Sequence, residues 1–274
     1  MFRTKTNFIV GLTTYNTENL EISVRGLAQL NKEFVLIVCA DNPDKKVTKK
    51  QIRSLGYKGP LHIINNQYNV GTLNARLAIL KAVRERKINA EWVIFVDDDD
   101  ILTNIDTPVV SQDNFAIVQN MVVLRTRLID VLRVMKKPAD YTVDNENVFL
   151  VRPHIGITGT LIRINIALRM LDVMNDAQQE ISDINERLSF RPPVDMMMWS
   201  ALNIIAQHDN QNATPIYMDR VNYIATDIDT APTKYGMRLQ PTKNAKQQIE
   251  QTIAKYNTAI RNALMAVAAP VGHD

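Results

Sequence analysis

The chain is poor in the features that would place it outside ordinary globular proteins. Cys39 is its single cysteine among 274 residues, so no intramolecular disulfide can staple the fold and stability must come from a packed core. Because Cys39 stands inside the apolar run Phe34 to Ala40, its thiol is expected to be buried and structural in a reducing compartment rather than a nucleophile or a metal ligand. Long hydrophobic runs are missing as well. No segment approaches the roughly 20 apolar residues of a membrane span, and Met1-Phe2-Arg3-Thr4-Lys5 enters its short apolar run too abruptly for a secretory signal. A cytoplasmic protein without a membrane span is the expectation.

Charge of one sign is also lacking. Lys and Arg number 32 against 29 Asp and Glu, a net charge of +3, which is too small an excess to announce a nucleic-acid partner. The one basic cluster, Lys45, Lys46, Lys49, Lys50 and Arg53, reads as a solvated helix surface, with phosphate contact as the alternative. There is no internal repeat and no low-complexity tract. With 46% apolar and 22% charged residues, the composition is that of a chain that folds on its own.

The first hundred residues alternate short β-rich runs with longer helical patterns, the mark of βα units and a mainly parallel sheet. Phe8 to Leu12, Phe34 to Val38, Leu61 to Ile64 and Trp92 to Val96 are near-continuously apolar, as strands covered on both faces must be. Between them, Leu20, Val24, Leu27 and Leu30 form one helical stripe within Asn19 to Leu30, and Leu73, Leu77, Leu80 and Val83 another within Thr72 to Arg86. Ligands of such sheets collect at the carboxyl ends of the strands. Thr13-Thr14-Tyr15-Asn16, Asp41-Asn42 and Asp97 to Asp100 are therefore expected to converge on one crevice.

Further along, Phe115 to Arg125 reads as a strand, Leu128 to Lys136 as a helix, and Ile157 to Ile162 as a strand leading into a helix through Leu168, Leu171 and Val173. Pro192-Pro193 announces a helix over Asp195 to Gln207. Tyr217 to Ala225 gives one or two short strands. Ile249, Ile253, Tyr256, Ile260 and Leu264 mark a final amphipathic helix within Thr242 to Val267. His154 and His208 read as structural or surface residues, and Met196 to Met198 as core filler.

Asp97-Asp98-Asp99-Asp100 carries the chemistry. Four carboxylates at a strand terminus repel one another unless something positive binds there. Mg²⁺ or Mn²⁺ prefers carboxylate and phosphate oxygens together, so an Asp-x-Asp at a strand end is a natural bridge to a diphosphate. An acidic turn capping the next helix is the plainer alternative.

The order of the surrounding motifs favours the metal. Phe8-Ile-Val-Gly-Leu-Thr-Thr-Tyr-Asn16, Val38-Cys-Ala-Asp41-Asn42, Asn69-Val-Gly71-Thr-Leu-Asn-Ala75-Arg76 and Val93-Ile-Phe-Val-Asp97-Asp98-Asp99-Asp100 together resemble the nucleotide-binding half of family 2 glycosyltransferases of the GT-A fold. The resemblance implies an α/β domain with a mainly parallel central sheet flanked by helices. Residues 1–105 would form the nucleotide-sugar half, 106–241 the acceptor and catalytic half, and 242–274 a C-terminal helix and tail.

It also implies roles. Thr13, Thr14, Tyr15 and Asn16 would lie against the nucleoside, and Asp41 would contact the base. Asn69, Gly71, Ala75 and Arg76 would border the donor diphosphate, where backbone N–H groups at a helix start favour an anion; a surface arginine paired locally is the alternative for Arg76. Asp97 would sit near the ribose and share a divalent metal with Asp99, with Asp98 counted among the donor-binding residues and Asp100 behind them. On the acceptor side, Ile155 to Thr160 resembles the small-residue strand of the acceptor cleft, so Gly159 and Thr160 are candidates. Trp199 would stack on a sugar or fill the core. Asp195 resembles the family's general base, and a helix cap is what else an Asp there provides.

Two departures concern the donor: Leu77 where Asn is common, and Asn42-Pro43-Asp44 in place of a Gly-Ser pattern. A third, Val194 in place of Glu, keeps a noncatalytic nucleotide-sugar-binding module in play. The implied activity is metal-dependent, inverting transfer from a nucleoside diphosphate sugar, UDP-sugar foremost, to a hydroxyl of a saccharide or of a hydroxymethylated DNA base. Sugar-phosphate nucleotidyltransfer is the rival enzyme class, and no Gly-rich activation loop near the first strand supports it.

Overall fold

A computed structural model describes residues 6–124, 148–151, 156–180, 194–226 and 243–268. In chain order it contains β1 (Phe8–Thr14), α1 (Leu20–Ala28), β2 (Phe34–Ala40), α2 (Lys49–Ser54), β3 (Leu61–Asn65), α3 (Gly71–Glu85), β4 (Trp92–Asp97) and β5 (Ile101–Leu102). There follow β6 (Asn114–Leu124), β7 (Val148–Val151), β8 (Leu161–Arg163), α4 (Ile164–Glu180), α5 (Val194–Asp209), β9 (Thr214–Thr226) and α6 (Lys243–Ala268). The strands make one sheet in the order β3-β2-β1-β4-β8-β6-β9-β5, with β7 beside β6. The first four strands are parallel, as their unbroken apolar runs require. The rest is mixed: β8 runs antiparallel to both β4 and β6, whereas β6 and β9 are parallel.

Period-two alternation divides the sheet between two cores. Ile9, Val35, Ile37, Cys39, Val93 and Phe95 face a layer that contains residues of α3, α4, α5 and α6. Their neighbours Phe8, Val10, Leu36, Val38, Ile94 and Val96 face the other core, with Leu20, Val24 and Leu27 of α1 and Ile52 of α2. Each such aliphatic side chain, fully buried, contributes about 1.5–3 kcal/mol through removal from water. Helix α6 closes the first layer by burying Tyr256, Ala259, Ile260, Ala263 and Leu264, the spacing expected of one apolar stripe. Among the described residues no helix is long and apolar enough to cross a membrane.

Two expected strands differ. Ile157 to Ile162 is strand only from Leu161; before it Thr160 N–H closes a turn on Ile157 O (3.3 Å) and Gly159 N–H donates to Phe95 O (2.9 Å). The backbone there bonds across to β4 instead of continuing a ladder. Tyr217 to Ala225 lies within one long strand, β9, whose register against β6 shifts near Gln119–Met121. Leu128 to Lys136, Pro192-Pro193, Ile155 and His154 fall outside the described residues.

Gly11 shows how tightly α3 sits on the sheet. A β-carbon there would lie 3.0 Å from Ile79 Cγ2 of α3 and 3.1 Å from the Phe95 ring. Gly11→Val is therefore expected to cost about 1–3 kcal/mol by overpacking. Urea denaturation should show a lower midpoint with an unchanged slope.

Candidate active site

Strands β1 and β4 lie side by side with Thr13 opposite Asp97, so the hydroxyls of the first strand's tip reach the carboxylates of the fourth. Thr13 Oγ1 donates to Asp97 Oδ1 (3.0 Å). Thr14 Oγ1 donates to Asp98 Oδ2 (2.6 Å), which also accepts the Asn16 N–H (3.2 Å). Burial pushes the Asp98 carboxyl up to about 6, with the Thr14 bond opposing and the Asp97 charge adding. Asp100 is buried and accepts a hydrogen bond from the Tyr223 hydroxyl (2.7 Å), and that oxygen accepts the Asp97 N–H (3.2 Å). The Tyr223 hydroxyl holds its proton well above the ordinary tyrosine range, through burial first and the Asp100 and Asp97 charges next. Local donors thus answer part of the repulsion within the aspartate run.

A cation answers another part. Arg76 is buried, with 1% of its side chain exposed, in the second turn of α3. Its Nη2 donates to Asp97 Oδ1 (3.1 Å) and to Thr158 Oγ1 (2.8 Å), and its Nη1 is in short contact with Asp195 Oδ1. Thr158 Oγ1 in turn donates to Asp195 Oδ1 (3.1 Å). Burial alone would weaken the proton affinity of the guanidinium, but the Asp195 and then the Asp97 charges reverse this and hold it above its usual range. Its Nε is buried without a hydrogen-bond partner. Expected beside the donor diphosphate or paired at the surface, Arg76 is buried and pairs with two carboxylates from distant parts of the chain.

Asp41 is committed too. Its buried carboxylate accepts from Asn66 Nδ2 (2.8 Å), Val70 N–H (2.9 Å) and Gly71 N–H (2.8 Å), and Asn69 Oδ1 shares the Gly71 N–H (3.0 Å). The residues expected at the base and diphosphate therefore bind one another and fix the entry into α3. Around them, Tyr15 and Tyr68 are exposed, and Lys45 Nζ reaches Asn16 Oδ1 (3.2 Å) and Glu18 (3.1 Å). Of the basic cluster, Lys45 thus stands at the rim, while Arg53 lies over the Tyr57 ring. Cys39 is buried as expected, its thiol pushed up to about 12 by burial and then by the Asp41 charge.

On the acceptor side, Gly159 adopts φ +75° and a β-carbon there would come within 2.8 Å of the Tyr223 ring, so the position needs glycine. Asn222 Nδ2 secures its carbonyl (2.9 Å). Thr160 is fully buried, its hydroxyl donating to Gly156 O (2.8 Å). Trp199 is partly buried and packs against the core with its ring 6.0 Å from that of Phe115. Asp195, in the first turn of α5, is 44% exposed. Beside it Met196 is half exposed, while Met197 and Met198 are core. His208 lies near the exposed surface against Asp209.

The residues suit a divalent cation by the chemistry of the donor set. Asp97 and Asp99 offer hard oxygens, and the Asp97 side chain is 35% exposed. Among the described residues no group of three or more His, Cys, Asp or Glu forms a ready-made cage. One or two carboxylates completed by phosphate oxygens and water is how Mg²⁺ is commonly held beside a diphosphate.

Comparison with known proteins gives this geometry a class. Residues 9–108 match the sequence model of "Glycosyl transferase family 2", which spans β1 to the loop beyond β5 and contains the Thr13, Asp41, Arg76 and Asp97 positions. The fold is similar to that of S. aureus TarS 1–349, with a TM-score of 0.51 at 18% identity, covering 91% of this chain and 65% of that one. Weaker likenesses reach GalNAc-T7, crystallised with UDP, GalNAc and Mn²⁺ (TM-score 0.45, 9% identity, 82% of this chain, 44% of that one). They also reach a nucleoside-diphosphate-sugar pyrophosphorylase of Vibrio cholerae RC9 (TM-score 0.42, 11% identity, 79% and 93%). The chain thus spans a little under two thirds of the TarS segment. No curated protein matches the sequence significantly. The fold is of the GT-A type. Within it, residues 9–108 are similar to a family 2 glycosyltransferase domain.

Tyr223 and Asn66 were not anticipated as site residues from sequence. Arg76→Met should leave Asp97 and Asp195 without their shared cation. Because both carboxylates keep contact with water, the loss is expected to be about 2–3 kcal/mol, below that of a fully enclosed pair. Arg76→Lys should recover only part of it, since an ammonium cannot span two carboxylates as a planar fork does; chemical denaturation of the three proteins checks this.

Proposed function

We propose that this protein is a glycosyltransferase that moves a sugar from a nucleoside diphosphate sugar, UDP-sugar foremost, to an acceptor hydroxyl with inversion at the anomeric carbon, assisted by Mn²⁺ or Mg²⁺. The observation that carries the reading is the Arg76 guanidinium between Asp97 and Asp195. One rigid planar group sets the spacing of a donor-side carboxylate and a partly exposed carboxylate suited to act as base.

Asp97 and Asp99 would hold the cation, which when bound supplies charge neutralisation for the leaving diphosphate. Thr13, Thr14 and Asn16 keep Asp97 and Asp98 in place, and Asp41 keeps the loop before α3 in place. Asp195 takes the proton of the acceptor hydroxyl. As that oxygen bonds to the anomeric carbon, the bond from the carbon to the diphosphate oxygen breaks, and the nucleoside diphosphate leaves with the electron pair. The transition state has the oxocarbenium character common to glycosyl transfer. Arg76 and Thr158 fix the direction of the base, a positioning contribution rather than a proton transfer. The acceptor class is a saccharide hydroxyl, with a hydroxymethylated DNA base as the second candidate.

A thermal-shift panel of UDP-, GDP- and dTDP-sugars with Mn²⁺ identifies the donor by the largest stabilisation. With that donor, Asp195→Asn should lower kcat for sugar-nucleotide turnover by about 10²–10⁴-fold and leave donor KM within a few-fold. Wild-type turnover by this variant, or an anomeric proton signal showing retention in the product, would refute the mechanism.

A further inference from the structure

The hydroxyl of Tyr223 sits inside the aspartate turn although the residue comes from β9, at the far side of the sheet. Register brings it there: Tyr223 lies opposite Leu102 of β5 and Met121 of β6, and its side chain is 1% exposed. The ring occupies the space beneath Gly159, whose missing β-carbon would collide with it at 2.8 Å. A phenol has one proton to donate and lone pairs to accept with. Here the proton goes to Asp100 Oδ2 (2.7 Å) and a lone pair receives the Asp97 N–H (3.2 Å). Across the same turn Asp100 N–H donates to Asp97 O (3.2 Å).

We infer that Tyr223 is the positioning residue that sets the aspartate turn for divalent-cation binding, an assignment that rests on the metal-assisted reading above. Tyr223 pins the main chain of Asp97 and the carboxylate of Asp100, while Thr14 pins Asp98. The backbone that carries Asp97 and Asp99 is thereby fixed before a cation arrives. Without the hydroxyl, a partly buried N–H and a buried carboxylate oxygen each lose a partner, and the turn must rearrange to recover them. Partners that orient metal-binding carboxylates are worth roughly 10- to 100-fold in metal affinity. The role is distinct from packing because the ring, which fills the space under Gly159, survives loss of the hydroxyl.

The test is Tyr223→Phe, with Mn²⁺ titrated calorimetrically into wild type and variant in the presence of UDP, alongside UDP binding without metal and far-UV circular dichroism. Mn²⁺ affinity is expected to fall about 10- to 100-fold, with metal-free UDP binding and secondary structure unchanged. Wild-type Mn²⁺ affinity in the variant overturns the assignment, as does an equal loss of metal-free UDP binding, which marks a merely structural residue. Failure of the wild type itself to bind Mn²⁺ removes the metal-assisted reading and this assignment with it, and is visible in that arm alone. Should Tyr223→Phe not fold, Asp100→Asn weakens the same phenol contact from the other side. Asp100 is buried, so its variant should reduce Mn²⁺ affinity through the turn, and unchanged affinity there is equally fatal.

Discussion

A guanidinium buried among carboxylates is the constraint around which the site is organised. Arg76 has 1% of its side chain exposed, and a charge so placed is tolerated only with compensation at close range. Asp97 comes from the tip of β4, Asp195 from the start of α5 and Thr158 from the segment crossing to β8. Each arrives by a different route through the fold. The arginine makes their separation a fixed quantity, because displacing any one would leave a buried positive charge partly unanswered.

The second half of the chain makes this convergence possible by changing the direction of the sheet. Four parallel strands deliver Thr13, Asp41 and Asp97 to one edge, but parallel topology alone leaves the far side of that edge open. The antiparallel β8 and the long β9 fill it. They bring Thr158 and Gly159 against Phe95, and Tyr223 under the aspartate turn. The tip of β4 and the segment carrying Thr158 are therefore neighbours, bridged at Phe95, with α3 packed closely on β1 at Gly11.

Much of this architecture was legible in the residues. The unbroken apolar runs Phe8 to Leu12 and Trp92 to Val96 can be satisfied only by a strand covered on both faces, and the alternating residues do divide between two cores. The helical stripes of α1, α3 and α6 follow the 3.6-residue period that buries them. Within the expected strand Ile157 to Ile162, residues Ile157 to Thr160 misled because their alternation of small and apolar residues looks like a strand, whereas Leu161 and Ile162 are strand. In the fold, Gly159 takes a positive φ that no ladder accommodates, and its N–H bonds to Phe95. Trp199 was open between two roles because a tryptophan's burial depends on what faces it, here Phe115.

What the sequence by itself determined was the order of elements and the set of chemical groups at the strand ends, since both follow from local periodicity and from the motif that carries Asp97 to Asp100. Tertiary structure alone decided which of those groups bind each other. Arg76 and Asp195 are separated by 119 positions and Tyr223 and Asp100 by 123, and no local pattern encodes a pairing at such a distance. It is set by strand register and by the low polarity of the interior, where most buried charges and donors are bonded to a partner.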